Sequence, residues 1–145
     1  QRALVAATIR RHRPSVILGH DPWKQYRLHP DHRHAGLLVV EGIVAARDAT
    51  FHPEQIDPGG LLEHRPDTLL LFEPELPDHV EPTSEQAVDR KIAALLAHRS
   101  QWRSTMGIDT DPEAETEAFA QRVRDDLATA GNGSPAEHFH RIDEL

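Results

Sequence analysis

The stretch SVILGHDPWKQYRLHPDHRHAGLLVV, residues 15–40, decides the fold class. Its first part, Ser15–Gly19, is a continuous apolar run, which is typical of a strand buried between helices in a parallel sheet. Pro30 suits the first position of a helix and opens an apolar segment over 30–47. A second apolar run, Thr68–Phe72, predicts another strand. The alternation of strands and helices predicts an α/β fold with a mostly parallel sheet.

Three polar residues, His29, Asp31 and His32, are crowded around the start of this helix. Asp31 falls in the first turn, where the helix dipole favours a carboxylate. His29 and His32 are three residues apart, so their rings are expected to lie close together on the helix surface. His32 shares a helix face with three apolar or small residues: Gly36, Val39 and Ile43. His34 falls on nearly the opposite side. The arrangement is typical of a metal-dependent hydrolase, but spacing alone leaves open which histidine would bind the metal.

Other polar residues follow the two predicted strands. His20 and Asp21 come directly after the first strand, at the sheet end where ligands bind in open α/β folds. They could line a pocket there, but a polar pair at the start of a loop more often forms a turn. Glu73 ends the second strand and lies on the same rim if the strands are parallel. Trp23 and Tyr26 are amphipathic aromatics that could stack on a sugar, although covering the sheet end explains them as well.

The C-terminal half carries weaker signals. The periodicity predicts helices over 84–102 and 111–130, and a third strand around His79–Glu81 is only weakly indicated. His98 lies at the margin of an apolar stripe, where it could meet a substrate pocket or an ordinary helix surface. Glu137 could support a site, and packing or capping explains it equally well.

Composition narrows the function classes. The chain has no cysteine, so a zinc site would use histidine and carboxylate ligands. No apolar run approaches the roughly 20 residues of a membrane span. The net charge of −8 argues against a nucleic-acid partner. Arginine greatly outnumbers lysine and alanine is abundant, which points to a bacterial genome. These features predict a cytoplasmic protein.

The sequence resembles the LmbE-like or PIG-L family of zinc-dependent N-deacetylases. Six segments carry the resemblance through their order and spacing: GHDPW, RLHPDHRHAG, AARD, PDTLLLFEP, KIAALLAHRSQ and PAEHF. The resemblance implies a Rossmann-like, three-layer α/β sandwich, Zn²⁺ as the cofactor and hydrolysis of an N-acetyl group. The implied partner is a small amino-sugar or amide substrate, and a homo-oligomer is compatible with it.

The resemblance also implies roles for the clustered residues. The histidine matching His32 binds zinc. The one matching His29 is protonated and either stabilises the tetrahedral oxyanion or protonates the leaving amine, and Asp31 orients it. Some relatives place a catalytic tyrosine two residues before the latter histidine, where this chain has Arg27, so that role is not transferred.

One family motif, Ala-His-Pro-Asp-Asp-Glu, is absent, and it would supply two further metal ligands and the general base. Two predicted strands would also leave the sheet edges unpaired. We therefore expect residues 1–145 to be the C-terminal part of a single deacetylase domain whose N-terminal strands are missing. With His32 as the only strong ligand, this segment would bind zinc poorly. The alternative is a non-catalytic α/β partner or interaction module that keeps the fold without a complete metal site.

Overall fold

The computed structural model describes residues 1–26 and 28–145. The chain divides into two compact units. The first unit contains residues 1–79 and 138–145, and the second contains residues 80–137. Each unit has its own apolar core, so each is described separately.

Four helices and four strands make up the regular structure of the described residues. The helices are α1 (Arg2–His12), α2 (Pro30–Ala46), α3 (Glu85–Leu96) and α4 (Pro112–Ala130). The strands are β1 (Val16–His20), β2 (Thr68–Phe72), β3 (His79–Pro82) and β4 (Ala136–Ile142). They form one sheet in the order β1-β2-β4-β3. β1 pairs with β2 in parallel, with His20 opposite Phe72, and β2 pairs with β4 antiparallel.

The structure confirms a mixed α/β fold and the parallel pairing of the two predicted strands. β4 was not expected as a strand. Its sequence, AEHFHRI, places polar residues between its buried Ala136 and Phe139, which hides the apolar signal. The sheet is also less parallel than expected, because β4 joins β2 in the antiparallel direction.

The predicted helix over 84–102 is too long, because α3 ends at Leu96. A short 3₁₀ turn over Arg99–Gln101 and a π turn over Trp102–Met106 follow it. The Trp102 indole N–H donates a hydrogen bond to the Leu96 carbonyl oxygen at 2.9 Å. The last carbonyls of a helix lack partners within the helix, so this bond stabilises the early end of α3.

The core of the first unit joins its two helices to one side of β2. It contains Ala6 and Ile9 of α1, Ile43, Ala45 and Ala46 of α2, Leu69 and Leu71 of β2, and Leu145. On β1 the side chains alternate, as a strand requires. Val16 and Leu18 are 45% and 57% exposed, whereas the neighbouring Gly19 is buried beside Val39.

Arg10 is the largest buried polar residue of this unit, with only 2% of its surface exposed. Its guanidinium donates to the carbonyl oxygens of Ala45, Ala46, Asp48 and Phe51 and to the Gln55 amide oxygen, at 2.7–3.2 Å. Several of these carbonyls lie at the C-terminal end of α2, where the helix leaves them unpaired and its dipole favours a cation. These hydrogen bonds from Arg10 therefore hold α1 against the C-terminal end of α2.

The second unit is held together by α3 and α4. Its core contains Val88, Ile92 and Leu127, with Leu96, Ala120 and Val123 packed against them. On the surface Arg124 of α4 donates to Asp89 of α3 at 2.6 Å. In the described part of the chain, none of the helices has both the length and the apolar character needed to cross a membrane.

Gly36 allows α2 to pass close to the end of β1. A Cβ atom at this position would lie 2.4 Å from the His20 carbonyl oxygen and 3.1 Å from Pro22. We expect Gly36→Ala to lower the free energy of unfolding by at least about 1 kcal/mol. Overpacking against backbone costs about 1–3 kcal/mol or more, which exceeds the roughly 1 kcal/mol gained in helix propensity. Urea unfolding measures the change.

The matched control is Ala35→Ser, because Ala35 is the exposed neighbour on the same helix. This variant should change the free energy of unfolding by no more than about 0.5 kcal/mol. A Gly36→Ala protein as stable as the parent would contradict the close approach of α2 to the strand end.

Candidate metal centre

Three elements bring their functional residues to one end of the sheet. β1 ends at His20, which lies opposite Phe72 in the parallel register, so Glu73 follows at the same end of β2. The N-terminal turn of α2 places His32 over these strand ends. The carboxyl ends of parallel strands form the ligand-binding rim of open α/β sheets. The expectation that His20 and Glu73 share one rim is therefore confirmed.

The donor atoms of His20, His32 and Glu73 form the candidate metal centre. One ligand atom from each residue lies within 4.8 Å of the other two. The His20 and His32 rings stack at 4.4 Å, and His20 Nδ1 lies 3.9 Å from Glu73 Oε2. Ligand atoms of a tetrahedral zinc site, at bond lengths of about 2.0–2.2 Å, are roughly 3.3 Å apart. Side-chain shifts of about 1–1.5 Å would suffice, and two histidines with one glutamate are a donor set used by catalytic zinc.

The backbone at Glu73 has an unusual conformation. Its φ angle is 52°, in the left-handed region that residues with a Cβ rarely adopt. Such a conformation costs roughly 1–3 kcal/mol and often accompanies functional sites. Next to it, the Phe72 ring packs against His20 at a centroid distance of 4.2 Å. The left-handed turn leaves the Glu73 carboxylate beside His20.

His29 caps the N-terminus of α2 and lies beside the metal centre. Its Nδ1 accepts a hydrogen bond from the Asp31 backbone N–H at 3.3 Å. Because Nδ1 is an acceptor in this arrangement, the ring proton belongs on Nε2. The rings of His29 and His32 are 5.1 Å apart. The structure thus connects Asp31 to His29 through the backbone, and the predicted role of the Asp31 carboxylate stays a prediction.

Asp21 joins the two loops that follow the parallel strands. It is only 7% exposed, and its carboxylate accepts the Trp23 N–H at 2.9 Å and the Glu75 N–H at 3.4 Å. The Glu75 carboxylate in turn accepts the Gln25 N–H at 2.6 Å. The turn interpretation of Asp21 is therefore confirmed, and the same side chain also connects the β1 loop to the β2 loop.

A pocket of about 410 Å³ lies between these loops. Its lining residues are Asp21, Trp23, Gln25, Glu75, Leu76 and His140. His140 lies on β4, and its Nδ1 is 2.7 Å from Asp78 Oδ2. A hydrogen bond from the Arg141 backbone N–H, with the nearby His140, lowers the pKa of the Asp78 carboxyl. The ionised Asp78 accepts a hydrogen bond from His140 and so fixes its ring.

The remaining sequence candidates lie elsewhere. His34 is exposed on α2 and Tyr26 is 91% exposed. His98 belongs to the second unit, where the Glu137 carboxylate pairs with Lys91 at 2.5 Å. Arg27 lies outside the described residues.

Sequence reasoning did not identify Glu73 as a metal ligand or His140 as a pocket residue. The apolar run before Glu73 gave a usable signal, because aligning the ends of the two predicted strands places Glu73 next to His20. His140 had no such signal, since β4 itself was not predicted.

Comparison with known proteins identifies the class. No protein-family model matches the chain. A curated relative, the diacetylchitobiose deacetylase of Thermococcus kodakarensis, is 32% identical over 101 residues, which cover 70% of this chain and 37% of that protein. The chain therefore spans less than half the length of that relative.

Solved structures share the fold. The N,N'-diacetylchitobiose deacetylase of Pyrococcus horikoshii, complexed with its inhibitor MPG, matches 98% of this chain and 51% of its own, with 23% identity and a TM-score of 0.77. A conserved protein of Thermus thermophilus matches 99% of this chain and 57% of its own, with 24% identity and a TM-score of 0.69. Identities this low establish the fold alone.

Together with the motifs of residues 20–36, these matches support the resemblance to the LmbE-like family. The fold by itself does not select one reaction. The 4-carboxy-2-hydroxymuconate hydratase GalB of Pseudomonas putida has the same fold, with 19% identity, a TM-score of 0.64 and coverage of 99% of this chain and 58% of its own. The reaction has to be argued from the site.

Proposed function

We propose that this chain is part of a zinc-dependent deacetylase that hydrolyses the N-acetyl group of an N-acetylglucosaminyl compound. One observation carries the proposal: His20, His32 and Glu73 present ligand atoms within 4.8 Å of one another at the strand ends. The sequence relationship to a diacetylchitobiose deacetylase supports the substrate class. The proposal includes a Rossmann-like layered fold, a cytoplasmic location and residues 1–145 as part of a single deacetylase domain.

His32 is the proposed principal metal ligand, with His20 and Glu73 as its companions. Their nitrogen, nitrogen and oxygen donors suit zinc better than the all-oxygen sites preferred by magnesium or calcium. Zinc held there supplies Lewis acidity, which polarises a carbonyl group and activates water at neutral pH. The cluster lies on the open rim of the sheet, so a substrate amide can reach it.

His29 is the proposed proton donor. Hydrolysis adds water to the amide carbon, develops negative charge on the carbonyl oxygen and then breaks the C–N bond. The departing nitrogen takes up a proton, and the products are acetate and an amine. The neutral ring can donate its Nε2–H to the oxyanion as a hydrogen bond, whereas transfer of a proton to the nitrogen requires the doubly protonated ring, in which Nδ1 no longer accepts the Asp31 N–H. In the neutral ring, the Asp31 N–H keeps the single proton on Nε2 by occupying Nδ1.

The experiment separates metal binding from proton donation. His29→Ala should retain zinc but release acetate from N-acetylglucosamine compounds about 10²- to 10³-fold more slowly, as expected for loss of an oxyanion donor. Metal analysis and an acetate assay on the same preparations give the zinc content and the rate of acetate release. His34→Ala is the matched control, because His34 is exposed on the same helix, and both values should stay at the parental level.

Two results would contradict the proposal. Loss of zinc from His29→Ala would make His29 a ligand rather than a proton donor. A protein that also carries the rest of the proposed deacetylase domain, yet binds no zinc and releases no acetate, would favour the alternative, a non-catalytic partner module that keeps the fold.

A further inference from the structure

Asp21 is a buried carboxylate that the proposed reaction does not use. Only 7% of its surface is exposed, and it follows His20 directly in the sequence. An aspartate is rarely buried unless its hydrogen-bonding capacity is used. The bonds that Asp21 makes therefore indicate what this side chain does beside the candidate metal centre.

Asp21 holds the chain immediately before and after Glu73. Its backbone N–H donates to the Phe72 carbonyl oxygen at 3.3 Å and so continues the parallel pairing past the end of β1. Its carboxylate Oδ2 accepts the Glu75 backbone N–H in a long hydrogen bond of 3.4 Å. Only Glu73 and Pro74 lie between these two contacts. One residue of the β1 loop thus fixes both ends of the turn that carries the Glu73 carboxylate.

This turn has a backbone conformation that needs support. The φ angle of Glu73 is 52°, which is unfavourable for a residue with a Cβ and persists only where surrounding contacts impose it. The next residue is Pro74, and a residue that precedes proline favours extended backbone with a negative φ. Relaxation to that range would redirect the Glu73 side chain, whose carboxylate lies 3.9 Å from His20 Nδ1.

The second carboxylate oxygen restrains the other loop. Asp21 Oδ1 accepts the Trp23 backbone N–H at 2.9 Å, in an Asx-type turn directly after His20. Each oxygen therefore restrains the backbone next to one strand-end ligand, Oδ1 beside His20 and Oδ2 beside Glu73.

We infer that Asp21 is a positioning residue for the metal centre, because it holds Glu73 in the left-handed turn that brings its carboxylate to the ion. The inference rests on the proposed function, since it takes His20, His32 and Glu73 as the ligands. Asp21 is not one of these ligands and acts through the backbone of the two loops. Groups that orient metal ligands from behind typically change metal affinity 10- to 100-fold when they are lost.

Asp21→Asn separates the two bonds of the carboxylate. The amide keeps one acceptor oxygen, which the shorter bond from Trp23 takes, and turns its NH₂ group toward the Glu75 N–H, where donor meets donor. We expect the zinc affinity of the chain, measured by isothermal titration, to fall about 10- to 100-fold. Asp21→Ser is a second variant without the unpaired donor, since its shorter hydroxyl retains a weaker local turn and does not reach Glu75.

Asp48→Asn is the matched control. Asp48 accepts the Thr50 backbone N–H at 2.8 Å in a similar local turn of the same unit. It lies after the C-terminal end of α2, whereas His32 lies in the first turn of that helix. Its zinc affinity should stay within about twofold of the parental value.

Two further measurements distinguish positioning from a general loss of stability. Cobalt bound in place of zinc has a visible spectrum that depends on its ligands, and the spectrum of Asp21→Asn should approach that of Glu73→Gln. In the metal-free protein, the Glu75 amide should exchange its hydrogen faster in Asp21→Asn than in the parent. The amide of the buried Leu71 should keep its protection, which shows that β2 stays folded.

Three results would overturn the inference. The first is parental zinc affinity in both Asp21 variants. The second is loss of affinity together with loss of the Leu71 protection, because Asp21 would then stabilise the fold in general. The third is a parental chain that binds neither zinc nor cobalt, since there would be no ligand to position.

The outcomes also separate this inference from the proposed function. Zinc affinity that depends on Asp21, in a protein that never releases acetate, would support the positioning role and overturn the deacetylase. Release of acetate together with a zinc affinity that does not depend on Asp21 would support the deacetylase and overturn the positioning role.

Discussion

Replacing His32 by alanine is expected to abolish metal binding and acetate release together. His32 contributes the ligand atom from α2, whereas His20 and Glu73 come from the strand ends. Two remaining ligands leave a catalytic zinc site short of the three that it needs. Loss of a residue in an outer shell already lowers metal affinity 10- to 100-fold, so loss of a direct ligand should lower it at least about 100-fold. Isothermal titration with zinc measures the affinity.

The companion variants test the rest of the donor set. His20→Ala and Glu73→Gln should each weaken zinc binding, and His34→Ala should leave it unchanged because His34 is exposed on the other side of α2. Zinc binding by residues 1–145 alone also tests the donor set. Stoichiometric binding in the micromolar range would support His20 and Glu73 as ligands and overturn the sequence expectation of weak binding. Normal zinc affinity in both companion variants would mean that His32 binds metal with other partners.

Replacing Arg10 by methionine is expected to lower the free energy of unfolding by about 3–5 kcal/mol. Methionine fills a similar volume but donates no hydrogen bond, so at least four carbonyl oxygens and the Gln55 amide oxygen would lose a donor. The Ala46 and Asp48 carbonyl oxygens keep the backbone N–H donors of His64 and Phe51. The cost of roughly 1–3 kcal/mol for each buried acceptor left without a partner therefore falls on the remaining ones. Water entering the site offsets part of this cost. Urea unfolding followed by circular dichroism measures the change.

Arg11→Met is the matched control, because Arg11 is the next residue of α1 and is exposed. It should change the free energy of unfolding by no more than about 0.5 kcal/mol. Arg10→Lys should lower the free energy of unfolding by an amount between those of Arg10→Met and Arg11→Met, since an ammonium group has three donors where the planar guanidinium has five. Equal stability of Arg10→Met and Arg11→Met would show that the bonds to the α2 carbonyls do not support the fold.

The sequence predicted those features that depend on local patterns. The apolar runs at Ser15–Gly19 and Thr68–Phe72 identified β1 and β2, and Pro30 marked the start of α2. The same runs placed His20 and Glu73 on one rim, because parallel strands end together. The spacing of His29 and His32 placed their rings near each other, and the structure gives a distance of 5.1 Å.

Features that depend on distant contacts could not be predicted. The segment RRHR, residues 10–13, contains three arginines, and nothing local shows that Arg10 alone is buried. Its partners lie 35–45 residues farther along the chain. β4 was missed for a similar reason, since its polar residues become a strand through pairing with β2. The left-handed conformation of Glu73 likewise has no signature in the sequence.

The neutral partners of Arg10 determine how this part of the molecule responds to its solvent. Ionic strength weakens attractions between exposed opposite charges, such as the pair of Arg124 and Asp89. Backbone carbonyls carry no net charge and do not titrate, and a guanidinium stays protonated at any pH at which a protein is folded. The connection between α1 and the C-terminal end of α2, the end opposite His32, is therefore insensitive to both salt and acidity.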